Sequence, residues 1–326
     1  MRMHKTESDR YIQALRELLP VMPRLLQRRR SGLAAEQQLA KELGIDTKAF
    51  MTMAHVSLVV GSYGGKEVSY EQLKGWDPYA TVDASVENIA NLKQEGLLLV
   101  GLDGKLSLSP QARSAIDRFH EEGRAYVAAL KPLCTPELES VAHLLEAAVS
   151  AVLFNPMLVP RPGSHLAASR ALALGCGNGR DVPALPVMLR IEQAVSDLWL
   201  ARDDAHVNAW RYVNAWNGNG LTGPTIAVLT EIWSGTAHTV GELAQELSWR
   251  QTARDVESNL SYLVWHDYVK RDGEKVRLTR AGVLLRDSIE AETDRIYFIG
   301  WQHARHQVEW LRDKLKELVS NLPEPA

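Results

Sequence analysis

Apolar residues recur at helical spacing through most of this chain. Tyr11, Leu15, Leu18, Leu19, Met22 and Leu25 repeat at three and four, which predicts a helix over 6–27 that Pro20 and Pro23 break or kink. A helix over 34–43 should end at Gly44. Further helices are expected over 49–60, 82–94, 113–130 and 136–153, the last with Ala142, Leu145, Val149 and Val152 as its apolar stripe. The spacing predicts a long amphipathic helix over 188–216. Another is expected over 286–322, where Ile289, Ile296, Ile299, Trp310, Leu311, Leu315 and Leu318 recur.

The most informative stretch is 240–282. Leu243 and Leu247 mark a short amphipathic helix. Ser248 opens a second, with Ala253, Val256, Leu260, Leu263 and Val264 on one face. Tyr268-Val269 and Val276-Arg277-Leu278 are β-prone runs joined across Asp272-Gly273, a hairpin signal, and Thr279 caps a following helix. Helix, turn, helix, hairpin, helix is a winged helix-turn-helix. An earlier stretch has the same order. SYEQLKGW begins at Ser69, the 82–94 helix follows, and Asp103-Gly104 turns a hairpin that leaves through Leu106 and Leu108. Leu73 and Leu243 lie 170 apart, as do Leu108 and Leu278; Ile89 and Leu260, like Leu92 and Leu263, lie 171 apart. A fixed offset between two such stretches predicts internal duplication.

The later stretch resembles the MarR-like winged-helix family of bacterial transcription regulators. The pieces are the GELAQEL helix, the run LVWHDYV into the wing, the DG tip and the exit VRLTRAG, over about 218–282. The wing is short compared with that family. The resemblance implies a protein that binds double-stranded DNA, flanking helices that build a dimer interface, and a cleft that takes small aromatic effectors. With two units in one chain, that interface is expected either within the chain, as a pseudo-dimer, or between two chains of a homodimer.

Candidate DNA contacts follow from the apolar stripe. With Ala253, Val256, Leu260 and Leu263 turned inward, the opposite face carries Arg250, Gln251, Arg254 and Ser258. Arginine can take guanine bidentately and glutamine can take adenine. Lys270, Arg271, Lys275 and Arg277 make a basic wing beside them. The earlier unit has Asp83, Ser85, Glu87, Asn88 and Asn91 in the matching helix, and its wing, Leu99-Val100-Gly101-Leu102, is apolar. Only the second unit is therefore expected to read DNA. The apolar wing should be covered by another surface, in this chain or a partner.

The chain has 326 residues, 45% hydrophobic and 24% charged, enough for two cores. A net charge of −3 neither supports nor excludes DNA, because only the contact face must neutralise phosphates. The N-terminus lacks the apolar core of a secretory signal and no apolar run is long enough to span a membrane, which points to the cytoplasm. Cys134 and Cys176 read as free thiols. Arg28, Arg29 and Arg30 read as a solvated helix end, with phosphate binding as the sharper alternative. Five prolines and four glycines make 155–186 the expected linker. Within it LGCGNGR, 174–180, looks like a methyltransferase nucleotide loop. No β-branched strand precedes it, and Pro183 and Pro186 interrupt the helix that should follow, so no S-adenosylmethionine is expected.

Asp203, Asp204 and His206, and separately His303, His306 and Glu309, could offer metal ligands. Their helical spacing does not close a tetrahedron, and solvated or interface roles explain them better. No nucleophile or paired carboxylate stands in a recognisable arrangement, so neither an enzyme nor a cofactor is expected. Eight of nine tryptophans follow residue 198; most are core filler, with Trp199, Trp210, Trp233 and Trp301 as candidates for an effector pocket. The reading is a mainly α fold with small β-wings: tandem winged helix-turn-helix units with long flanking helices. The expected divisions are a helical arm over 1–45, a first unit with trailing helices over 46–154, the linker over 155–186, and a second unit over 187–326. The alternative left open is a winged-helix scaffold that binds proteins instead of DNA, with an S-adenosylmethionine-dependent methyltransferase as the remote one.

Overall fold

The computed structural model describes residues 7–31, 35–62, 67–161, 164, 166, 185–218 and 220–324. Within them the chain is mainly helical, with two small antiparallel two-stranded sheets. Helices α1 (Glu7–Leu18) and α2 (Val21–Arg28) part at Pro20. Pro23 lies in the first turn of α2, where a missing N–H costs no helical bond, so the helix continues through it. The first lobe comprises α3 (Ala35–Leu43), α4 (Thr47–Ser62), α5 (Tyr70–Trp76), α6 (Val82–Gln94), β1 (Leu98–Val100), β2 (Leu106–Leu108) and α7 (Pro110–Ala129). Helices α8 (Thr135–Leu153) and α9 (Val187–Asn217) follow. The second lobe comprises α10 (Gly223–Ser234), α11 (Val240–Glu246), α12 (Ala253–Trp265), β3 (Val269–Asp272), β4 (Lys275–Leu278) and α13 (Arg280–Phe298). Helix α14 (Val308–Ser320) comes last.

Helix, helix, helix, hairpin, helix thus occurs twice, and local bonds recur at the offset seen in the sequence. Ser69 and Thr239, 170 apart, close capping boxes on α5 and α11. Thr81 and Thr252, 171 apart, cap α6 and α12; Ser109 and Thr279, 170 apart, cap α7 and α13. Leu106 N donates to Val68 O at 2.8 Å, and Val276 N donates to His238 O at 2.9 Å. Gly96 enters the first wing at φ +67°, and Asp267, at the matching place, takes φ +57°, a conformation uncommon outside glycine.

Two apolar clusters divide the described residues differently from the composition. One lies wholly in the first lobe, from Ala35 to Ile116, around Phe50, Met53, Leu92 and Leu106. The other joins α1, α2, α8, α9 and α14 to the second lobe. The N-terminal helices are therefore no separate arm, because Leu15, Leu18, Met22 and Leu25 are fully buried in that larger core. Helix α8, expected to trail the first unit, packs on α9. The three arginines fasten this assembly. Arg29 and Arg30 pair with Glu192 of α9, and Arg28 donates to Leu322 O at 2.8 Å, so the cluster is neither a solvated end nor a phosphate site.

Two further expectations change. The described part of 155–186 is no spacer: Leu158 and Leu166 are buried in the larger core, and Asn155 Nδ2 donates to Ile296 O at 2.7 Å. Loop 174–180, with Cys176, lies outside the described residues. The final helix is interrupted, with a 3-10 turn (Ile299–Ala304) between α13 and α14. At the turn Gly300 lies so close to α8 that a Cβ would sit 2.5 Å from Val152 Cγ2. Periodicity alone does not register so close an approach.

Two predictions follow from this packing. A Cβ on Gly223 would fall 1.9 Å from Pro78 O, across the contact between the lobes. Gly223→Ala should lower stability in urea unfolding by about 1–3 kcal/mol. Gly241→Ala, with nothing within 4 Å, should be neutral or stabilise by up to about 1 kcal/mol. Equal effects would refute the close approach. Separately, burial pushes the Asp197 carboxyl of α9 up to about 6. The folded state then holds a proton that the unfolded chain has lost, so this group's contribution falls as pH rises from about 4 to 6. Asp197→Asn should be more stable than the parent at pH 8 by about 1–3 kcal/mol, with the difference gone below about pH 4. A pH-independent difference would show that the carboxyl is not the cause.

Candidate nucleic-acid interface and the cavity behind it

The start of α12 decides which residues can face DNA. Thr252 is its N-cap: Thr252 Oγ1 accepts from Asp255 N at 3.2 Å, and Asp255 Oδ2 accepts from Thr252 N at 3.0 Å. This capping box starts the helix at Ala253, four to five residues later than the apolar stripe suggested. Ser248, Trp249, Arg250 and Gln251 are therefore in the turn. Gln251 is 1% exposed; its Nε2 donates to Pro224 O at 2.9 Å and its Oε1 accepts from Asn259 Nδ2 at 3.0 Å. Arg250 is turned to the first lobe, with Nε 2.8 Å from Asp77 Oδ2 and its guanidinium over the rings of Trp249 and Tyr79. Both leave the candidate DNA face, Gln251 because its amide is buried and bonded and Arg250 because its guanidinium is turned to Asp77 of the first lobe.

Together these contacts form a seam between the lobes. Thr81, the N-cap of α6, donates from its backbone N to Arg250 O at 2.8 Å and from Oγ1 to Asp255 Oδ2 at 2.5 Å. One carboxylate thus serves the starts of α6 and α12 together. The bonds to Thr81 and Thr252 outweigh its burial, and its pKa is lowered. Sequence reasoning missed the seam, although Thr252-x-x-Asp255 was a legible capping signal.

What remains exposed on α12 is Ala253, Arg254, Ser258, Ser261, Val264 and Trp265, a stripe along one side, so Ala253 and Val264 are not on the buried face where the apolar spacing put them. The wing beside it is basic. Lys270 stands directly opposite Arg277, and Asp272 opposite Lys275. Two cations opposed across a strand pair repel unless an anion lies over them. Arg271 is instead drawn back, pairing with Glu257 of α12 and donating to Gly273 O at 2.9 Å. At the matching positions of the first lobe, Asp83 stands for Arg254, Glu87 for Ser258 and Leu99 for Lys270, all exposed. Of the two covers expected for the first wing, this chain does not supply one: Leu99, Val100 and Leu102 are all open to solvent.

Behind the seam lies a cavity of about 550 Å³. Trp199, Trp233 and Trp249 are among its walls, with charged residues from α9, α10 and α13. Of the four tryptophans expected there, Trp199 and Trp233 line it. Trp301 is fully buried and Trp210 nearly so; both pack in the larger core, and Trp249 was missed. Asp203 and Asp204 bind Arg161, and His206 Nδ1 meets the Tyr79 hydroxyl at 2.6 Å. His303, His306 and Glu309 are exposed where the 3-10 turn runs into α14. Among the described residues no three of His, Cys, Asp or Glu are grouped to hold a metal ion. Burial holds the His206 imidazole down at about 3 and pushes the Tyr79 phenol and the Asp203 carboxyl up.

A family model described as a helix-turn-helix family matches residues 106–324. No curated protein and no solved structure matches the chain.

The His206 shift carries a pH signature. The unfolded chain takes up a proton near 6.5 and the folded chain only near 3, so this contribution is intact above about pH 6.5 and is lost as pH falls towards 3. His206→Gln, which cannot be protonated, should flatten thermal stability between about pH 4 and 6.5 relative to the parent. An unchanged acid limb would place the titration elsewhere.

Proposed function

The chain belongs to the helix-turn-helix family, and we propose from that premise that it is a transcription regulator that binds double-stranded DNA through its second lobe. The observation that carries the reading is the reversal of charge at matching positions. Arg254 and Lys270 stand exposed where the first lobe has Asp83 and Leu99. Carboxylates on α6 would be repelled by phosphates, whereas Arg254 and Ser258 on α12 can reach base edges in a major groove. Lys270, Lys275 and Arg277 then neutralise flanking phosphates, and Arg271 braces the wing against α12.

The seam supports a single reading head per chain. Helices α6 and α12 each have 13 residues, so each is about 20 Å long. Touching at their starts, their midpoints lie at most about 25 Å apart, short of the roughly 34 Å between successive major-groove half-sites. A pseudo-dimer within one chain cannot place both helices in adjacent grooves. A two-part site would need a homodimer. We read the lobes as copies of a MarR-like winged helix, one kept for DNA and one for packing against it. The cavity behind the seam is the proposed site of a small aromatic effector, since its walls include Tyr79 and Arg250, on either side of that seam. In this reading the chain binds and does not catalyse. No single helix among the described residues is long and apolar enough to cross a membrane. One observation favours the scaffold reading: the solvent-exposed apolar first wing, which suits a protein partner.

Fluorescence anisotropy with DNA fragments selected by the protein, at two salt concentrations, separates these readings. Arg254→Ala should cost about 1–3 kcal/mol and relax preference at one base position. Lys275→Ala should weaken all sequences alike and reduce the salt slope by about one. Asp83→Ala with Glu87→Ala should leave affinity nearly unchanged. Comparable losses from both lobes would mean that both grip DNA, and no binding by the unmodified chain at low salt would leave the scaffold.

A further inference from the structure

Helix α12 presents one line of side chains to solvent. Arg254, Ser258, Ser261 and Trp265 are exposed and lie four, three and four residues apart, so they share one face. Val256, Leu260 and Leu263, all fully buried, hold the opposite face. The last member of the exposed line stands out. Trp265 is 81% exposed, and a ring of that size left in water forgoes a large burial energy. The local fold does not require it. Helix α6 has the exposed Gln94 at the matching place, 171 residues earlier, with Asp83, Glu87 and Ala90 for the other three. The ring is also restrained. It meets the His266 imidazole with 4.6 Å between centroids and planes at 86°. His266 is in turn 4.2 Å from the Tyr262 ring and within 12° of parallel to Tyr268 at 6.1 Å. An edge-to-face contact of this kind fixes an exposed aromatic, and a fixed side chain loses little freedom when a partner covers it.

The lengths along the line suit a particular partner, because they run long, short, short, long. A straight helix laid in a major groove lies against a convex floor, so it comes closest at its middle and stands away at both ends. Ser258 and Ser261 are short and lie in the middle; Arg254 and Trp265 are long and lie at the ends. Those ends are eleven residues apart, about 16 Å along the helix and about five base pairs at about 3.4 Å each. Arg254 can answer the acceptors of a base edge, whereas the indole offers one N–H and otherwise an apolar surface. The apolar group that base pairs present in the major groove is the 5-methyl of thymine.

We propose that Trp265 is a specificity residue that covers a thymine methyl about five base pairs from the base that Arg254 reads. The inference rests on the DNA reading above and adds a second contact, of different chemistry, at the other end of the same helix. It also gives the ring cluster at the end of α12 a role: His266, between Tyr262 and Tyr268, holds the indole outward on the line that Arg254 begins.

Replacing each thymine of a selected DNA fragment in turn by deoxyuridine removes single methyl groups and nothing else. In anisotropy titrations of the full chain, one replacement should weaken binding about four-fold. It should lie about five base pairs from the position where Arg254→Ala relaxes preference. With Trp265→Ala the same replacement should make no difference, and the unmodified fragment should itself bind at least about four-fold more weakly than to the parent. Trp265→Phe, which keeps an apolar ring, should keep the methyl dependence. A thermal midpoint within about 2 °C of the parent shows that the alanine variant folds; if it does not, Trp265→Gln, with the residue that α6 carries there, takes its place. An equal cost of deoxyuridine in parent and variant, or no thymine whose methyl matters, would overturn the proposal and leave the DNA reading standing. Parental DNA affinity in the variant, with self-association of the parent lost in sedimentation, would also overturn it and assign the ring to a contact between two copies. No binding by the parent at low salt would remove this proposal and the DNA reading together.

Discussion

Helix α9 buries an apolar stripe along most of its length, and much of the fold is arranged around that constraint. Met188, Ile191, Val195, Leu198, Ala201 and Ala205 are all buried along it. Each large apolar side chain so placed contributes about 1.5–3 kcal/mol relative to exposure. The same helix also carries charges, and a charge removed from water must be paired. Glu192 takes Arg29 and Arg30 from the turn after α2, Arg190 takes Glu139 and Glu146 from α8, Arg202 takes Glu290 from α13, and Asp203 and Asp204 take Arg161. Buried pairs add little net stability. They do specify which element sits against which side of α9, and so they set where the second lobe and its cavity lie.

The two lobes share their order of elements and part in chemistry. A single carboxylate, Asp255, receives bonds from the N-caps of both α6 and α12. This contact turns Arg250 to the first lobe and, with Gln251 buried beside it, leaves one side of α12 and its wing free. It also closes one wall of the cavity through Tyr79 and Arg250. The free surface and the cavity are therefore consequences of one interface, which is why a ligand in one can be expected to influence the other.

Local signals were read well where the physics is local. Capping by Thr279, the DG hairpins and the bounds of α6 all depend on residues a few positions apart. Errors arose where a local signal was overridden by another. The apolar stripe ran back to Ser248, but the capping box at Thr252 fixed the later start and moved Arg250 and Gln251 off the DNA face. Half of the expected tryptophans do line a cavity, Trp199 from α9 and Trp233 from α10, where those two helices meet around it. Trp301 does not, because Gly300 lets its turn press against α8 and carries the ring into the core.

By itself the sequence determined the helices, the two wings, their order and the excess of cations on the second wing. Each follows from periodicity, capping and turn chemistry within a short window, and family membership is consistent with it. Only the tertiary structure decided that α6 and α12 meet at their starts, that Arg161 comes to Asp203 and Asp204, and that Arg202 and His206 line one cavity with Tyr79 and Arg250. Those facts join residues that lie tens to nearly two hundred positions apart. Pairing and burial of such groups depend on which surfaces exclude water from one another, and no window along the chain contains that information.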